Sequence, residues 1–220
     1  MNRVELVNAG GSGNNTADIL KRLPDVLEFK PDLVILMVGT NDMLNSFNFV
    51  APADYEKNLR EIIVRLQAAN AGVILMTIAP CLDACLRQRH GEAFFREQSP
   101  SRKVEAANAI IRRIAEERKL PLVDIHQLLA DAAGGIGEQP ECPVRNLANC
   151  GEADGVHLTP VGYALVAGAV YRRIRELGHD FRKIVCLGDS ITYGVHVAGA
   201  GTVTGECYPG QLQKKFIEQK

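Results

Sequence analysis

Two short segments of the sequence carry side chains that could together do nucleophilic chemistry. Gly188-Asp189-Ser190-Ile191-Thr192 places a serine directly after a glycine-containing turn, where the backbone can bend tightly. Asp154-Gly155-Val156-His157 puts a carboxylate and an imidazole three positions apart. A serine becomes a nucleophile when a histidine takes its proton and a carboxylate orients that histidine. The two segments therefore predict serine-based chemistry, provided that the fold brings them together.

Two further segments could supply hydrogen-bond donors. Gly39-Thr40-Asn41-Asp42 offers the side-chain amide of Asn41, and the stretch Asn8–Asn15 contains glycines whose backbone N–H groups could point at a ligand. Both kinds of donor stabilise a developing oxyanion. The pattern Gly11-x-Gly13-x-x-Thr16 is also an imperfect dinucleotide fingerprint, so the same loop could instead hold a phosphate. Each segment, taken alone, is also compatible with an ordinary turn.

Short apolar runs alternate with helical patterns along the whole chain, which indicates an α/β fold. The run Leu33–Val38 is continuously apolar, as expected of a strand buried on both faces, and residues 55–66 show apolar side chains at helical spacing. We therefore expect one domain, 1–220, with a parallel sheet between two layers of helices. The candidate strands are Val4–Val7, Asp32–Val38, Gly72–Ile78, Leu120–Asp124 and Lys183–Leu187.

Composition excludes several classes of protein. The chain has 220 residues, 46% of them apolar and 23% charged, with a formal net charge of −1. It therefore lacks the basic character expected of a nucleic-acid-binding protein. No apolar run approaches the roughly 20 residues of a membrane span. The segment from Met1 lacks the apolar core of a signal peptide, which favours the cytoplasm over secretion. The six cysteines are expected to be free thiols; Cys81/Cys85 and Cys142/Cys150 could form local disulfides in an exported protein.

The four chemical segments resemble the sequence blocks of SGNH/GDSL esterases and lipases, and the resemblance covers essentially the whole chain. The blocks are a GDS serine, a glycine loop, a GxND asparagine and a DxxH pair. The resemblance implies a three-layer, flavodoxin-like α/β/α sandwich with a five-stranded parallel sheet. It implies that Ser190 is the nucleophile, His157 the general base and Asp154 the residue that orients it. Ser190 N–H, Gly13 N–H and the Asn41 side-chain amide would then form the oxyanion hole, with no metal or organic cofactor.

The order of the blocks departs from the family pattern. In the family the GDS block opens the chain, whereas here it begins at Gly188 and the glycine loop comes first. Reading from Phe181 to Lys220 and then on from Met1 restores the family order, which indicates a circular permutation. The family's ends would be joined through residues 177–182. The family strand order then predicts that Lys183–Leu187 lies between Val4–Val7 and Asp32–Val38, although this arm could also swap into a neighbouring chain.

The resemblance implies hydrolysis of a small-molecule carboxylic ester. The absence of an apolar lid-like helix favours short acyl groups, such as acetyl esters of sugars. A lysophospholipase or thioesterase of the same family, and a nucleotide-binding module of flavodoxin type, are the alternatives. We expect the pocket walls to come from two irregular stretches, 81–99 and 134–152. Asp42 and Asp189 are expected to stabilise turns, His90 and His179 to lie on the surface, His126 to begin a helix and His196 to border the pocket.

Overall fold

The fold is seen in a computed structural model that describes residues 4–132 and 134–218. Residues 1–3, from which the expectation about a signal peptide started, lie outside the described residues, as does Ala133.

A five-stranded parallel sheet forms the centre of the molecule. Its order is β1-β5-β2-β3-β4, which confirms the expected sheet and the predicted central position of the strand nearest the carboxyl end. β4 is shorter than predicted, because only two residues pair with β3 before Asp124 begins a helix. The strands are β1 (Glu5–Gly10), β2 (Leu33–Met37), β3 (Gly72–Met76), β4 (Leu122–Val123) and β5 (Lys183–Gly188).

Strand β5 pairs along its length with strands on both sides. Cys186 lies opposite Asn8 of β1 on one edge and opposite Ile35 of β2 on the other. All residues from Ile184 to Gly188 are buried. A central strand has no exposed edge or face, so a continuous apolar run is what its environment requires. Strand β5 thus completes the sheet between β1 and β2.

Helices cover both faces of the sheet, as expected. Alternate residues of β2 show the division: Val34 and Leu36 enter the core on one face, whereas Ile35 and Met37 enter the other. Burying each such side chain contributes about 1.5–3 kcal/mol. The helices are α1 (Thr16–Glu28), α2 (Thr40–Leu44), α3 (Pro52–Ala68), α4 (Asp83–His90), α5 (Pro100–Glu117), α6 (Ile125–Ala130), α7 (Leu147–Cys150), α8 (Pro160–Leu177), α9 (Ser190–Tyr193) and α10 (Tyr208–Glu218).

Helix starts follow local sequence signals. Pro52 and Pro160 occupy first-turn positions of α3 and α8, where the missing N–H has no intrahelical partner. Thr159 caps α8 by accepting a hydrogen bond from Gly162 N–H at 3.2 Å. The core on the sheet face that carries Val34 packs against α1, α3 and α5. The core on the face that carries Ile35 packs against α6, α8 and α10.

The two stretches expected to be irregular contain helices. The first holds α4 and a 3₁₀ turn at Glu92–Phe95, and the second holds α7. Helix α4 was missed because it buries only Cys85 and Leu86, too few to produce a recognisable apolar period.

The structure describes the apolar character of the helices and the state of the cysteines. Among residues 4–132 and 134–218, no helix is long and apolar enough to cross a membrane. All six cysteines are free thiols, and only Cys150 is partly exposed.

Candidate active site

The carboxyl end of β5 presents Ser190. Asp189 caps the short helix α9, and its Oδ1 accepts a hydrogen bond from Ile191 N–H at 2.9 Å, as expected of a turn-stabilising acceptor. Gly188 is required sterically: a Cβ there would lie 2.2 Å from Thr192 Oγ1 and 2.3 Å from the carbonyl oxygen of Met37. Ser190 is the first residue of α9, where its own N–H has no intrahelical acceptor.

His157 lies between Ser190 and Asp154. Its Nε2 is 3.0 Å from Ser190 Oγ, and its Nδ1 is 2.9 Å from Asp154 Oδ2. Asp154 Oδ1 also accepts hydrogen bonds from the backbone N–H groups of Val156 and His157, at 3.0 and 2.9 Å. Gly155 adopts φ +83°, a left-handed conformation that favours glycine. The loop thus fixes the imidazole by both its side chain and its backbone.

Two arginines surround the carboxylate of Asp154. Arg89 Nη1 donates to the Asp154 carbonyl oxygen at 2.7 Å, and Arg145 Nε lies 3.7 Å from Asp154 Oδ2. Burial alone would raise the pKa of Asp154, but the hydrogen bonds and charge of His157 outweigh burial and hold that pKa well below its ordinary value. The carboxylate is therefore ionised throughout the neutral range, as an orienting group must be.

The glycine loop and the segment after β2 meet at the same place. Asn41 Nδ2 donates to the carbonyl oxygen of Asn14 at 2.9 Å, and Asn41 Oδ1 accepts from Asn45 Nδ2 at 3.1 Å. Gly13 has φ +76°, and its carbonyl oxygen accepts from Asn48 Nδ2 at 2.9 Å. The second N–H of Asn41 Nδ2 is left for a ligand.

A cavity of about 160 Å³ joins these residues. Ser190, His157, Asn41 and Gly13 all line it, so the structure brings together four of the five residues predicted from sequence, with Asp154 behind His157. The apolar part of its wall consists of Leu44, Leu86, Val156 and Val195.

The cavity walls differ from the prediction in one respect. The first stretch contributes Leu86, Arg89 and His90 of α4 as expected, but the second contributes no lining residue. Residues 134–152 instead contact the loop that carries His157, because Arg145 N–H donates to the His157 carbonyl oxygen at 2.8 Å.

His90 was wrongly assigned to the surface: it borders the cavity, and its Nδ1 lies 3.3 Å from Ser46 Oγ.

His196 was expected to border the pocket, but it does not line the cavity and instead contacts Asp154 and His157. Its Nε2 lies 3.7 Å from Asp154 Oδ2, and burial followed by the nearby His157 lowers its pKa. In the part of the chain that the structure describes, Asp154, His157 and His196 form the one group with metal-binding atoms close together, all within 4.8 Å. No local motif marks His196, because its proximity depends on the turn after α9.

A sequence model of the GDSL-like Lipase/Acylhydrolase family matches residues 1–165. The chain belongs to the GDSL-like lipase/acylhydrolase family. It is therefore a carboxylic ester hydrolase, as the motifs implied. The matched region contains Gly13, Asn41, Asp154 and His157 and ends before Ser190.

Curated relatives of this GDSL-like acylhydrolase carry esterase names. An acetylxylan esterase from Geobacillus stearothermophilus is 27% identical over 191 residues, which cover 81% of this chain and 74% of the relative. The thioesterase 1/protease 1/lysophospholipase L1 of Escherichia coli K12 is 34% identical over 122 residues, which cover 55% of this chain and 50% of the relative.

Solved structures share the fold. A GDSL-like lipase from Bacteroides thetaiotaomicron superposes with a TM-score of 0.60 at 22% identity, covering 76% of this chain and 73% of that chain. A catalytic mutant of an acetylxylan esterase from Geobacillus stearothermophilus superposes with a TM-score of 0.57 at 26% identity, covering 74% of this chain and 68% of that chain. These similarities confirm the α/β fold with a parallel five-stranded sheet.

Proposed function

We propose that the protein hydrolyses short-chain carboxylic esters, with acetylated carbohydrates as the substrate class, through Ser190, His157 and Asp154. The observation that carries this proposal is the continuous chain of contacts from Ser190 Oγ to His157 Nε2 at 3.0 Å and from His157 Nδ1 to Asp154 Oδ2 at 2.9 Å. An imidazole held between a hydroxyl and a carboxylate in this way can take the hydroxyl proton.

The reaction proceeds in two halves. Ser190 Oγ attacks the carbonyl carbon while His157 Nε2 takes the hydroxyl proton, and the developing oxyanion accepts hydrogen bonds from Ser190 N–H, Gly13 N–H and the Asn41 amide. His157 then gives the proton to the departing alcohol, which leaves an acyl group on Ser190. A water molecule, deprotonated by His157, attacks the acyl carbon and releases the acid, and Ser190 regains its proton.

The size and chemistry of the cavity support a short acyl group. Its volume of about 160 Å³ is below the roughly 300–1,000 Å³ of pockets that enclose drug-sized ligands. Leu44, Leu86 and Val156 close its apolar side, where an acetyl methyl group would lose contact with water. The acetylxylan esterase named above, whose alignment covers 81% of this chain, supports the same substrate class.

A chain-length series of p-nitrophenyl esters tests the substrate class. We expect kcat/KM to be greatest for acetate and to fall by at least about tenfold by octanoate, and acetylated xylan to release acetate. A rate that instead increases toward long chains would favour the lysophospholipase or thioesterase alternative.

A fluorophosphonate probe tests the nucleophile directly, because only an activated serine reacts quickly with it. The unmodified protein and Ser12→Ala should be labelled, whereas Ser190→Ala should not be labelled and should lose p-nitrophenyl acetate hydrolysis. Ser12 borders the same cavity, which makes it a matched serine. Hydrolysis by Ser190→Ala at a comparable rate would overturn the proposal.

The glycine loop is poorly suited to the nucleotide-binding alternative. Thr16 N–H, in the first turn of α1, already donates to Asp42 Oδ1 at 3.0 Å, and Asp18 N–H donates to Asn15 Oδ1 at 3.0 Å. A phosphate would therefore find these donors occupied and a carboxylate beside them, whereas phosphate sites at helix starts need free N–H groups.

We also propose that the chain is a circular permutation of the family arrangement. The central position of β5 between β1 and β2 supports it, because a strand added outside the family fold would lie at an edge. The family match ends at residue 165, before the serine block, and the acetylxylan esterase mutant replaces a serine near the start of its own chain. Residues 177–182 would then be the joint between the former ends.

A further inference from the structure

A second groove lies on the side of the molecule that carries α5. Its volume is about 350 Å³, and the aromatic rings of Phe49 and Phe94 line it together with Lys103. The two rings pack edge to face, with centroids 5.6 Å apart. Phe49 is 42% exposed although it belongs to this cluster. The groove therefore offers apolar aromatic surface to solvent in a defined geometry.

Lys103 carries a positive charge over these rings without a carboxylate partner. Its Nζ lies 4.6 Å from the centroid of Phe49 and 4.4 Å from that of Phe94. Across residues 4–132 and 134–218, no carboxylate oxygen lies within the 4.0 Å of an ion pair with this ammonium group. The rings attract the cation by their negative faces, and Glu97 attracts it from beyond ion-pair distance, so an anion can still pair with the ammonium group directly.

The other charged groups of the groove leave it net positive. Arg96 and Glu97 also line it, and both are exposed. Arg96, like Lys103, has no ion pair within the described part of the chain. Lys103 and Arg96 outnumber the single carboxylate of Glu97, so the groove favours an anionic occupant. The attraction between such an anion and Lys103 is stronger because this lysine is partly removed from water.

The groove adjoins the cavity of Ser190. Met43 faces the groove, whereas the next two residues, Leu44 and Asn45, line the Ser190 cavity. Likewise His90 lines the cavity, and Phe94 at the end of the following 3₁₀ turn lines the groove. Consecutive residues of α2 and of the segment after α4 thus form the wall between the two sites. An oligosaccharide that occupied both sites would have to pass over this wall.

We propose that this groove binds a carboxylate-bearing sugar residue of the same acylated oligosaccharide whose ester enters the Ser190 cavity. This inference rests on the proposed function. The exposed ring surface of Phe49 suits the C–H groups on one face of a pyranose ring, while Lys103 and Arg96 pair with the carboxylate. A purely apolar occupant would form no ion pair with Lys103, whereas a carboxylate would.

The test compares two acetylated xylo-oligosaccharides that differ only in one uronic acid side group. We expect the KM of the acidic substrate to be about tenfold lower at low salt, with a similar kcat, because binding outside the reacting bond acts on KM. The preference should weaken in 0.5 M NaCl, where exposed charges are screened.

Variants of Lys103 test whether this residue causes the preference for the acidic substrate. Lys103→Met keeps an unbranched side chain over the rings but removes the charge, and it should abolish the preference for the acidic substrate; Lys103→Arg should restore most of it. Lys214→Met is the matched control, because Lys214 is exposed on α10, which packs in the other core layer. It should leave both KM values unchanged.

The outcomes separate this inference from the function on which it rests. Equal KM values for the two oligosaccharides, or a preference that survives in Lys103→Met, would overturn the groove assignment while leaving ester hydrolysis intact. A preference confined to lysophospholipids, whose phosphate is also an anion, would likewise overturn it. Failure to hydrolyse either oligosaccharide, with p-nitrophenyl acetate also untouched, would overturn the proposed function itself.

Discussion

The imidazole of His196 packs edge-on against that of His157, with ring centroids 5.1 Å apart and ring planes at 78°. His196 adopts φ +71°, a conformation that costs an L residue of order 1–3 kcal/mol unless the surroundings stabilise it. The turn after α9 therefore places a second imidazole beside the residues proposed as the catalytic group.

We expect Zn²⁺ to inhibit the enzyme reversibly. The ligand atoms of Asp154, His157 and His196 lie within 4.8 Å of one another, and a small movement would let them share one ion, which would prevent His157 from accepting a proton. His196→Gln should need about tenfold more Zn²⁺ for half inhibition, in line with the loss of one ligand interaction.

The zinc experiment has two controls. EDTA should restore full activity, and Mg²⁺ should not inhibit, because it prefers oxygen ligands. Equal sensitivity of His196→Gln and the unmodified protein would show that the ion binds elsewhere.

Replacing Asp154 by Asn should lower kcat by about 10³–10⁴. The amide can still accept backbone N–H groups through its oxygen, but it no longer supplies the charge that orients His157 and stabilises the imidazolium. The melting temperature should also fall, because Arg89 and Arg145, which lie 3.6 and 3.7 Å from the carboxylate oxygens, lose their counter-charge. Activity measured well below the transition separates the two effects; a loss smaller than tenfold would contradict the proposed role.

Asn41→Ala should reduce kcat by about 10²–10³ with a small change in KM, because the lost hydrogen bond forms mainly in the transition state. Asn45→Ala is the informative comparison. Asn45 Nδ2 donates to Asn41 Oδ1 and orients the amide without contacting the reacting oxygen, so its loss should be milder. If Asn45→Ala were the more damaging, Asn41 would not be an oxyanion donor.

Two buried carboxyl groups should make the fold less stable as pH rises from about 4 to about 6. Burial raises the pKa of Asp42 to about 6 and that of Asp189 to about 6. In this range the unfolded chain has already lost protons that the folded state still binds, so the free energy of unfolding decreases with increasing pH. Asp154 acts oppositely only at lower pH, since its pKa is depressed. Three histidines whose pKa values are lowered from 6.5 also act oppositely, so the comparison with Asp42→Asn isolates the carboxyl contribution. These histidines are His90, His126 and His196.

Asp42→Asn should flatten this profile. Urea unfolding at pH 4.5 and pH 7 should show a difference smaller by about 1–2 kcal/mol than in the unmodified protein, since one pKa unit corresponds to about 1.4 kcal/mol. Asp25→Asn changes an exposed carboxylate and should leave the profile as it was. An unchanged profile in Asp42→Asn would contradict the assignment.

The permutation proposal predicts that the chain can be opened within residues 178–182 and joined at its present ends. Helix α10 packs on α8 and contacts β1, so the first and last described elements are neighbours and a flexible linker can be added between them. The rearranged protein should be a monomer with kcat/KM within about tenfold of the original. A chain that remains unfolded, or is active only as a dimer, would count against the proposal.

Local sequence patterns were sufficient to predict the sheet and the chemistry of most site residues. The continuous apolar runs predicted buried parallel strands, and the DxxH spacing placed Asp154 and His157 on one loop, because both signals depend on near neighbours. The identity of Ser190 followed from motif resemblance. Helix α4 escaped prediction because only Cys85 and Leu86 of its eight residues are buried.

Contacts between distant parts of the chain needed the tertiary structure. Ser190 and His157 are separated by 33 positions, and only the insertion of β5 between β1 and β2 brings them within hydrogen-bonding distance. The approach of His196 to Asp154 and the joining of Phe49, Phe94 and Lys103 in one groove likewise have no signal in local spacing. Such contacts depend on how helices and loops pack on the sheet. Packing is determined by the shape and chemistry of the surfaces that meet, and residues far apart in the sequence can contribute to the same surface.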